Sequence, residues 1–272
     1  MAAVPVGGTL KLSDSTPISE ALTIDKDMTV AANGAVISAP VTVSGASVTI
    51  DGANIVASGT SASDKTAAIT VSGDGDFTLT NNTISGKSRN AILVRNNGKQ
   101  VIEGNTFDAG TGNIYNAIEF SINNMPDVTS AVVENNTFTG TLGNNAISMY
   151  NFAEGADVLI KNNTFSDIAI NNNPVRLSNP KNASVTFNIE DNTYSFNSEE
   201  PQQYTGFMLL QDYATGEGKQ DFGKFTINFV NLKRGDKKLT ENGTGLDRVF
   251  YVYDDQDGVL EAGVNDPVVN FS

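Results

Sequence analysis

Hydrophobic positions in this chain come in short bursts. Phe77-Thr78-Leu79, Val132-Val133, Val158-Leu159-Ile160 and Val185-Thr186-Phe187 alternate or run apolar for a few residues and then give way to Asn or Gly. β-Branched and aromatic residues dominate the bursts, and none sustains the 3.6-residue period of an amphipathic helix. The pattern predicts strands joined by tight turns. The same grammar holds at Met28–Ala31, Ala35–Ser38, Val41–Val43, Val48–Ile50, Ile55–Ala57 and Ile69–Val71. Nearer the start, Leu10–Leu12 reads as a first strand. Residues 16–21 read either as one helical turn, with Thr16 as cap and Pro17 at the first position, or as the lead into a strand through Leu22–Ile24.

Between the bursts, two words repeat. Asn-Thr-(aromatic or Ile) occurs at Asn82, Asn105, Asn136, Asn163 and Asn192, with spacings of 23, 31, 27 and 29 residues. An apolar residue stands three positions before each Asn and a polar one two positions before. The second word is Asn90-Ala91-Ile92, Asn116-Ala117-Ile118, Asn145-Ala146-Ile147 and Asn173-Pro174-Val175. Self-similarity at this period, with insertions absorbed by loops, marks a solenoid or related array. Two or three strands per turn of about 28 residues, stacked about 4.8 Å apart, would bring equivalent side chains into ladders. An inward Asn in such a ladder satisfies turn groups that would otherwise be buried without a partner. Asn also tolerates the left-handed backbone that sharp corners need. Phe107, Phe138 and Phe165 are expected to stack inside the coil, with the intervening Thr facing out. Asn54, 28 residues before Asn82, is a further candidate for the ladder.

The two words, together with the opening run Gly7–Leu12, Ala21–Val30 and Asn33-Gly34, resemble the right-handed parallel β-helix of the pectate-lyase-like superfamily, over roughly residues 7–232. The resemblance implies an all-β chain with a single-stranded right-handed parallel β-helix and an N-terminal cap in residues 1–232. Leu232 replaces the ladder Asn, and the composition then changes: Lys233–Lys238 is basic and Val249–Tyr253 is aromatic. Residues 233–272 are therefore read as a β-rich C-terminal cap, or as a segment that contacts an oligomer neighbour or partner.

Composition narrows the chemistry. The chain has no Cys and no His, which removes disulfides, thiolate metal sites and the commonest general base. The His-containing motif of polygalacturonases is absent with it. A formal charge of −14 is poorly suited to nucleic acid, whose phosphates call for Lys and Arg. No apolar run approaches 18 residues, so no membrane span is expected. Residues 1–6 lack a basic start and an apolar run, so no signal peptide is expected and synthesis in a host cytoplasm is the reading. No cofactor is implied.

In enzymes of the superfamily the substrate lies along one outer sheet, which directs attention to the strands following the Asn-Ala-Ile word. Outward positions there form one column of Leu93, Glu119, Ser148 and Arg176, and a neighbouring one of Arg95, Ser121, Tyr150 and Ser178. Arg95, Glu119, Tyr150 and Arg176 offer a grip for a sugar or acidic glycan; an ordinary solvated sheet face competes with that reading. A hydrolase needs two carboxylates flanking one bond, and a lyase needs carboxylates for Ca²⁺ with an Arg or Lys base. Glu119 has no acidic partner in adjacent rungs of its columns, so catalysis is not expected. Asp254–Gly258 lacks the spacing of a Ca²⁺ loop and reads as an acidic turn. Two functions follow. The first is a non-enzymatic structural or surface protein of a virus particle, most naturally a bacteriophage: a capsid decoration, head fibre or appendage subunit. It would act as a rigid rod in the virion, as a homo-oligomer (a trimer by preference) docked to other virion proteins. The alternative is an extracellular carbohydrate-active β-helix, a depolymerase or an adhesin for host-surface glycan. A cluster of acidic residues on one face would favour the alternative.

Overall fold

Alternation decides the local structure. Met28–Ala31, Val48–Asp51, Phe77–Thr80 and Gln100–Glu103 each bury their first and third residues and half-expose their second and fourth, as a strand with one dry face must. The computed structural model describes residues 4–13, 17–59, 66–111, 113–120, 127–178, 183–212, 222–254 and 267–272. Among them the regular elements are strands, apart from the single 3₁₀ turns Phe222–Lys224 and Gly245–Asp247. Residues 17–21 contain no helical turn; Ile18 instead makes a parallel bridge to Ile37, and Leu22–Ile24 is a strand.

The strands build three parallel sheets wound into a right-handed parallel β-helix. The first sheet stacks ten strands in chain order: Gly8–Lys11, Met28–Ala31, Val48–Asp51, Phe77–Thr80, Gln100–Glu103, Val128–Glu134, Phe152–Lys161, Val185–Glu190, Phe225–Val230 and Val268–Phe271. The second sheet runs from Val36–Ile37 through Asn54–Ser58, Thr106–Thr111, Thr137–Thr141 and Thr164–Ile168 to Thr193–Phe196 and Lys233–Arg234. The third runs from Leu22–Ile24 through Val41–Ser44, Ala67–Gly73, Ile114–Phe120, Ile147–Met149 and Val175–Leu177 to Met208–Asp212 and Phe250–Asp254. One long strand, Thr83–Asn96, gives its first part to the second sheet and its second part to the third.

The Asn-Thr word sits where the first sheet turns into the second. Asn82, Asn105, Asn136, Asn163 and Asn192 are all nearly inaccessible. Each Oδ1 accepts from the rung before it: Asn105 N donates to Asn136 Oδ1 at 2.9 Å, and Asn136 N to Asn163 Oδ1 at 3.0 Å. From Asn82 to Asn163 each Nδ2 donates in two directions, as Asn136 does to the Ile102 carbonyl at 2.8 Å and to Asn163 Oδ1 at 3.0 Å. Behind them Phe107, Phe138 and Phe165 stack at centroid spacings of 4.9 and 4.8 Å with 6° between ring planes. That is the rung spacing of parallel strands.

Two details depart from the expectation. The left-handed backbone belongs not to the ladder Asn but to the residue before it: Asn81, Gly104, Asn135, Asn162 and Asp191 all have φ between 51° and 67°. Asn54 is not a ladder member. It pairs with Thr83 and is exposed, whereas Ala53 occupies the ladder site and donates its N–H to Asn82 Oδ1 at 2.8 Å. The ladder ends at Leu232, but the coil does not. Lys233–Arg234, Phe250–Asp254 and Val268–Phe271 add one more parallel rung to the second, third and first sheets, and Lys237–Lys238 folds back antiparallel on Lys233–Arg234.

Candidate functional site on the third sheet

The second word marks the corner between the second and third sheets. Asn90, Asn116, Asn145 and Asn173 are buried there. Asn116 Nδ2 donates to Asn90 Oδ1 at 3.2 Å, Asn145 N to Asn116 Oδ1 at 3.3 Å, and Asn173 N to Asn145 Oδ1 at 3.2 Å. From this corner the strands carry their outward residues into register. Leu93 pairs with Glu119, Glu119 with Ser148, Ser148 with Arg176, Arg176 with Leu209 and Leu209 with Tyr251. The column expected from sequence therefore exists. Tyr150 and Ser178 lie two residues further along their strands, while Ser121 lies outside the described residues.

The accessibility of this column differs from the expectation. Glu119 is 3% exposed, Ser148 0%, Arg176 7%, Tyr150 8% and Ser178 1%; only Arg95 is half-exposed. The face is thus a covered polar layer and not a solvated one. The Glu119 carboxylate is turned back onto the corner ladder. Its Oε2 accepts from Asn116 Nδ2 at 2.7 Å and its Oε1 from Asn90 Nδ2 at 3.3 Å. The sequence treated the ladder asparagines and Glu119 as separate features; the structure makes them one network. Register explains it, because Glu119 is three residues beyond Asn116 on the same strand and one rung above the Asn90 strand.

The rest of the cluster is aromatic and cationic. The Arg176 guanidinium lies over the Tyr150 ring at 5.5 Å, a geometry that gains strength when desolvated. Burial pushes the Tyr150 hydroxyl above its ordinary value, against the lowering pull of Arg176. Burial also depresses the Arg176 value, opposed by Tyr150, Tyr115 and Glu119. Two further arginine–tyrosine pairs flank the cluster and were not singled out from sequence. Arg89 sits over Tyr115 at 4.8 Å, and Arg248 over Tyr251 at 5.0 Å, with Tyr204 packed edge-on against Tyr251 and Tyr253. The legible signal was the pairing itself: Arg89 and Tyr115 precede the Asn of successive words.

Among the described residues no three His, Cys, Asp or Glu side chains converge on a metal position. The acidic stretch 255–258 lies outside the described residues. Arg234, in the Arg-Gly-Asp tripeptide, is tied down by Asp247 at 2.8 Å. Chemically the cluster is suited to holding a polar layer rigid. Among the described residues it contains a single carboxylate, already bonded to two amides, with no second acid in its column.

A family model described as the right-handed β-helix region matches residues 41–200. Neither the curated proteins nor the solved structures yield a match.

Proposed function

The chain belongs to the right-handed β-helix family, and from that premise we propose that it is a non-catalytic structural rod, a subunit displayed on the surface of a larger particle. A bacteriophage virion, with the chain as capsid decoration, head fibre or appendage subunit, is the setting we favour. The observation that carries the reading is the state of Glu119. This sole acid of the outward column is 3% exposed and engaged by Asn90 and Asn116, so it supports the corner ladder instead of facing a substrate. Glycosidic cleavage by a protein acid asks for a pair of carboxylates on opposite sides of one bond. On the outer side of the first sheet, asparagines also bond from rung to rung, which stiffens the coil: Asn228 Nδ2 donates to Asn188 Oδ1 at 2.9 Å, and Asn270 Nδ2 to Asn228 Oδ1 at 2.8 Å.

The test is a polysaccharide-cleavage panel run on the wild type and on Glu119→Gln. The expected result is no cleavage by either protein and a lower unfolding midpoint for the variant. Cleavage by the wild type that disappears in the variant overturns the reading. In that event the carbohydrate-active alternative takes its place, and the Arg176–Tyr150 pair with Arg95 beside it becomes the sugar platform.

A further inference from the structure

Three Asn-Gly pairs occur in the chain, at Asn33-Gly34, Asn97-Gly98 and Asn242-Gly243. Asparagine before glycine is the pairing in which a side-chain amide most readily reacts with the next backbone nitrogen, because glycine has no Cβ to shield that nitrogen. All three asparagines are exposed, yet the structure sets them apart. Asn33 Nδ2 donates to the Leu12 and Ala31 carbonyls at 3.3 and 3.2 Å, and the Gly34 N–H is spent on the Gly52 carbonyl at 2.6 Å. Asn242 Oδ1 accepts from the Val249 and Phe250 N–H groups at 3.0 and 3.1 Å, which ties its amide to another segment.

Asn97-Gly98 is different. It lies in the short turn between Thr83–Asn96 and Gln100–Glu103, where the third sheet passes into the first. Among the described residues neither the Asn97 side chain nor the Gly98 N–H has a hydrogen-bond partner. The turn around them is pinned. Asn96 Nδ2 donates to the Gly75 carbonyl at 2.8 Å, and Lys99 N to Asp76 Oδ1 at 2.9 Å. Gln100 Nε2, buried in the coil, donates to Asn96 Oδ1 at 2.5 Å and to the Gly98 carbonyl at 2.7 Å. Gly98 has no room on its Cα side: a Cβ there would meet the Gly75 carbonyl oxygen at 1.8 Å.

We propose that Asn97 is a site of spontaneous backbone modification, the one Asn-Gly pair that the fold leaves open to it. The Gly98 nitrogen, on losing its proton to solvent base, attacks Asn97 Cγ. The N–Cγ bond forms and the Cγ–Nδ2 bond breaks. The departing amide takes a proton back from solvent and leaves as ammonia, giving a cyclic imide. Water then opens either imide carbonyl. One route leaves Asp at position 97; the other leaves an isoaspartyl linkage, in which the chain runs through Cγ and gains one methylene. Both products add a negative charge to a chain already at −14. The isoaspartyl form also lengthens a turn whose glycine cannot shift toward Gly75. The displacement then falls on the buried Asn96–Gln100 bond, and this corner of the coil loosens with age. The proposal is independent of the structural-rod reading.

The experiment incubates the folded full chain at mildly alkaline pH in heavy-oxygen water and maps the incorporated label by peptide mass spectrometry, beside a sample held unfolded in urea. In the folded chain the Asn97 peptide should take up label at least about ten times faster than the Asn33 and Asn242 peptides, the factor expected where a hydrogen bond must break first. In urea the three should label at similar rates. The aged folded chain should unfold at a lower urea midpoint than the fresh one. Asn97→Gln, with a wild-type far-UV circular dichroism spectrum when fresh, should keep its midpoint on ageing. Labelling in the folded chain that is no faster at Asn97 than at Asn33 or Asn242 overturns the proposal. So does the same order and ratio of rates in urea, because sequence and not structure would then set them. An Asn97→Gln chain that loses midpoint on ageing as the wild type does overturns the loosening assigned to this corner.

Discussion

Replacing Asn136 by Ala tests the ladder where it is best formed. The side chain is 1% exposed and has rungs on both sides. Its Oδ1 accepts from Asn105 N at 2.9 Å and from Asn105 Nδ2 at 3.0 Å, and its Nδ2 donates to the Ile102 carbonyl and to Asn163 Oδ1. After truncation the Asn105 N–H and the Ile102 carbonyl each lose this partner inside the coil. The amide of Asn105 keeps its bonds to the Leu79 and Glu103 carbonyls, and Asn163 Oδ1 keeps the Asn136 N–H. Two compromised buried groups at about 1–3 kcal/mol each give a loss of roughly 2–6 kcal/mol. Asn54→Ala is the control. Asn54 is exposed and makes one side-chain bond, to the Gly34 carbonyl at 2.8 Å, so its loss should stay within about 0.5 kcal/mol. Urea unfolding followed by far-UV circular dichroism and tyrosine emission reads both; the chain has no Trp. Native-state hydrogen exchange at the Asn105 amide localises the effect, because a solenoid can open rung by rung. If Asn136→Ala falls within about 0.5 kcal/mol of wild type, or Asn54→Ala costs as much, the ladder is not what holds this corner.

Phe138→Ala removes a ring stacked on Phe107 and Phe165 and should cost about 3–5 kcal/mol in the same unfolding assay. Glu119→Gln replaces one of the two oxygens that accept from Asn90 and Asn116 with an N–H₂ facing a donor, and should cost about 1–3 kcal/mol, read as a lowered urea midpoint. Tyr150 and Tyr194 have hydroxyl values pushed up by burial from the ordinary 10.0. Stability from their neutral forms is complete below pH 10 and lost as pH climbs through the raised values. An ultraviolet titration should show both ionising late, with unfolding; ordinary ionisation in the folded state refutes it. Asp247 is held below the usual carboxylate range by its hydrogen bonds to Lys237 and Arg234. Its contribution is present above the unfolded carboxylate value and lost as pH falls through the depressed one. Asp247→Asn should therefore flatten the acid limb of the stability profile, checked by thermal melts across acid pH.

The strands and their stacking were legible because parallel register turns sequence repetition into spatial repetition. Each Asn-Thr word lies directly above its predecessor, so the period alone aligned Phe107, Phe138 and Phe165. The early rungs were harder to read. Ala53 fills the ladder site beneath Asn82 while Asn54 sits beside it, and a one-residue slip reverses which side chain points inward. Corner geometry was blurred for a similar reason: in Asn135-Asn136 and Asn162-Asn163 the two asparagines look alike, yet one adopts the left-handed backbone and the other bonds across rungs. The third-sheet column was correct in register but misjudged in exposure. Alternation tells which face a residue occupies, and it is silent on what lies over that face. The capture of Glu119 by Asn90 and Asn116 needed side-chain directions that no pattern of residue types supplies. The shift in composition after Leu232 marked the end of one ladder, whereas backbone pairing, which has no need of asparagine, continued for another rung.

The Asn-Thr ladder also gives the rod an electrical sense of direction. From Asn82 to Asn163 each side-chain amide gives one N–H to the oxygen of the next asparagine in the ladder, a chain of bonds of one sense that ends on Asn192. The five amides are therefore linked head to tail by four hydrogen bonds of one sense, each polarising the next. Backbone hydrogen bonds along the same axis alternate in sense within each strand and largely cancel, so the side chains contribute a net moment that the sheets lack. Its negative end points toward the first rungs and its positive end toward the last. A stack of near-identical turns thus has two ends that an approaching ion or partner would feel as different poles.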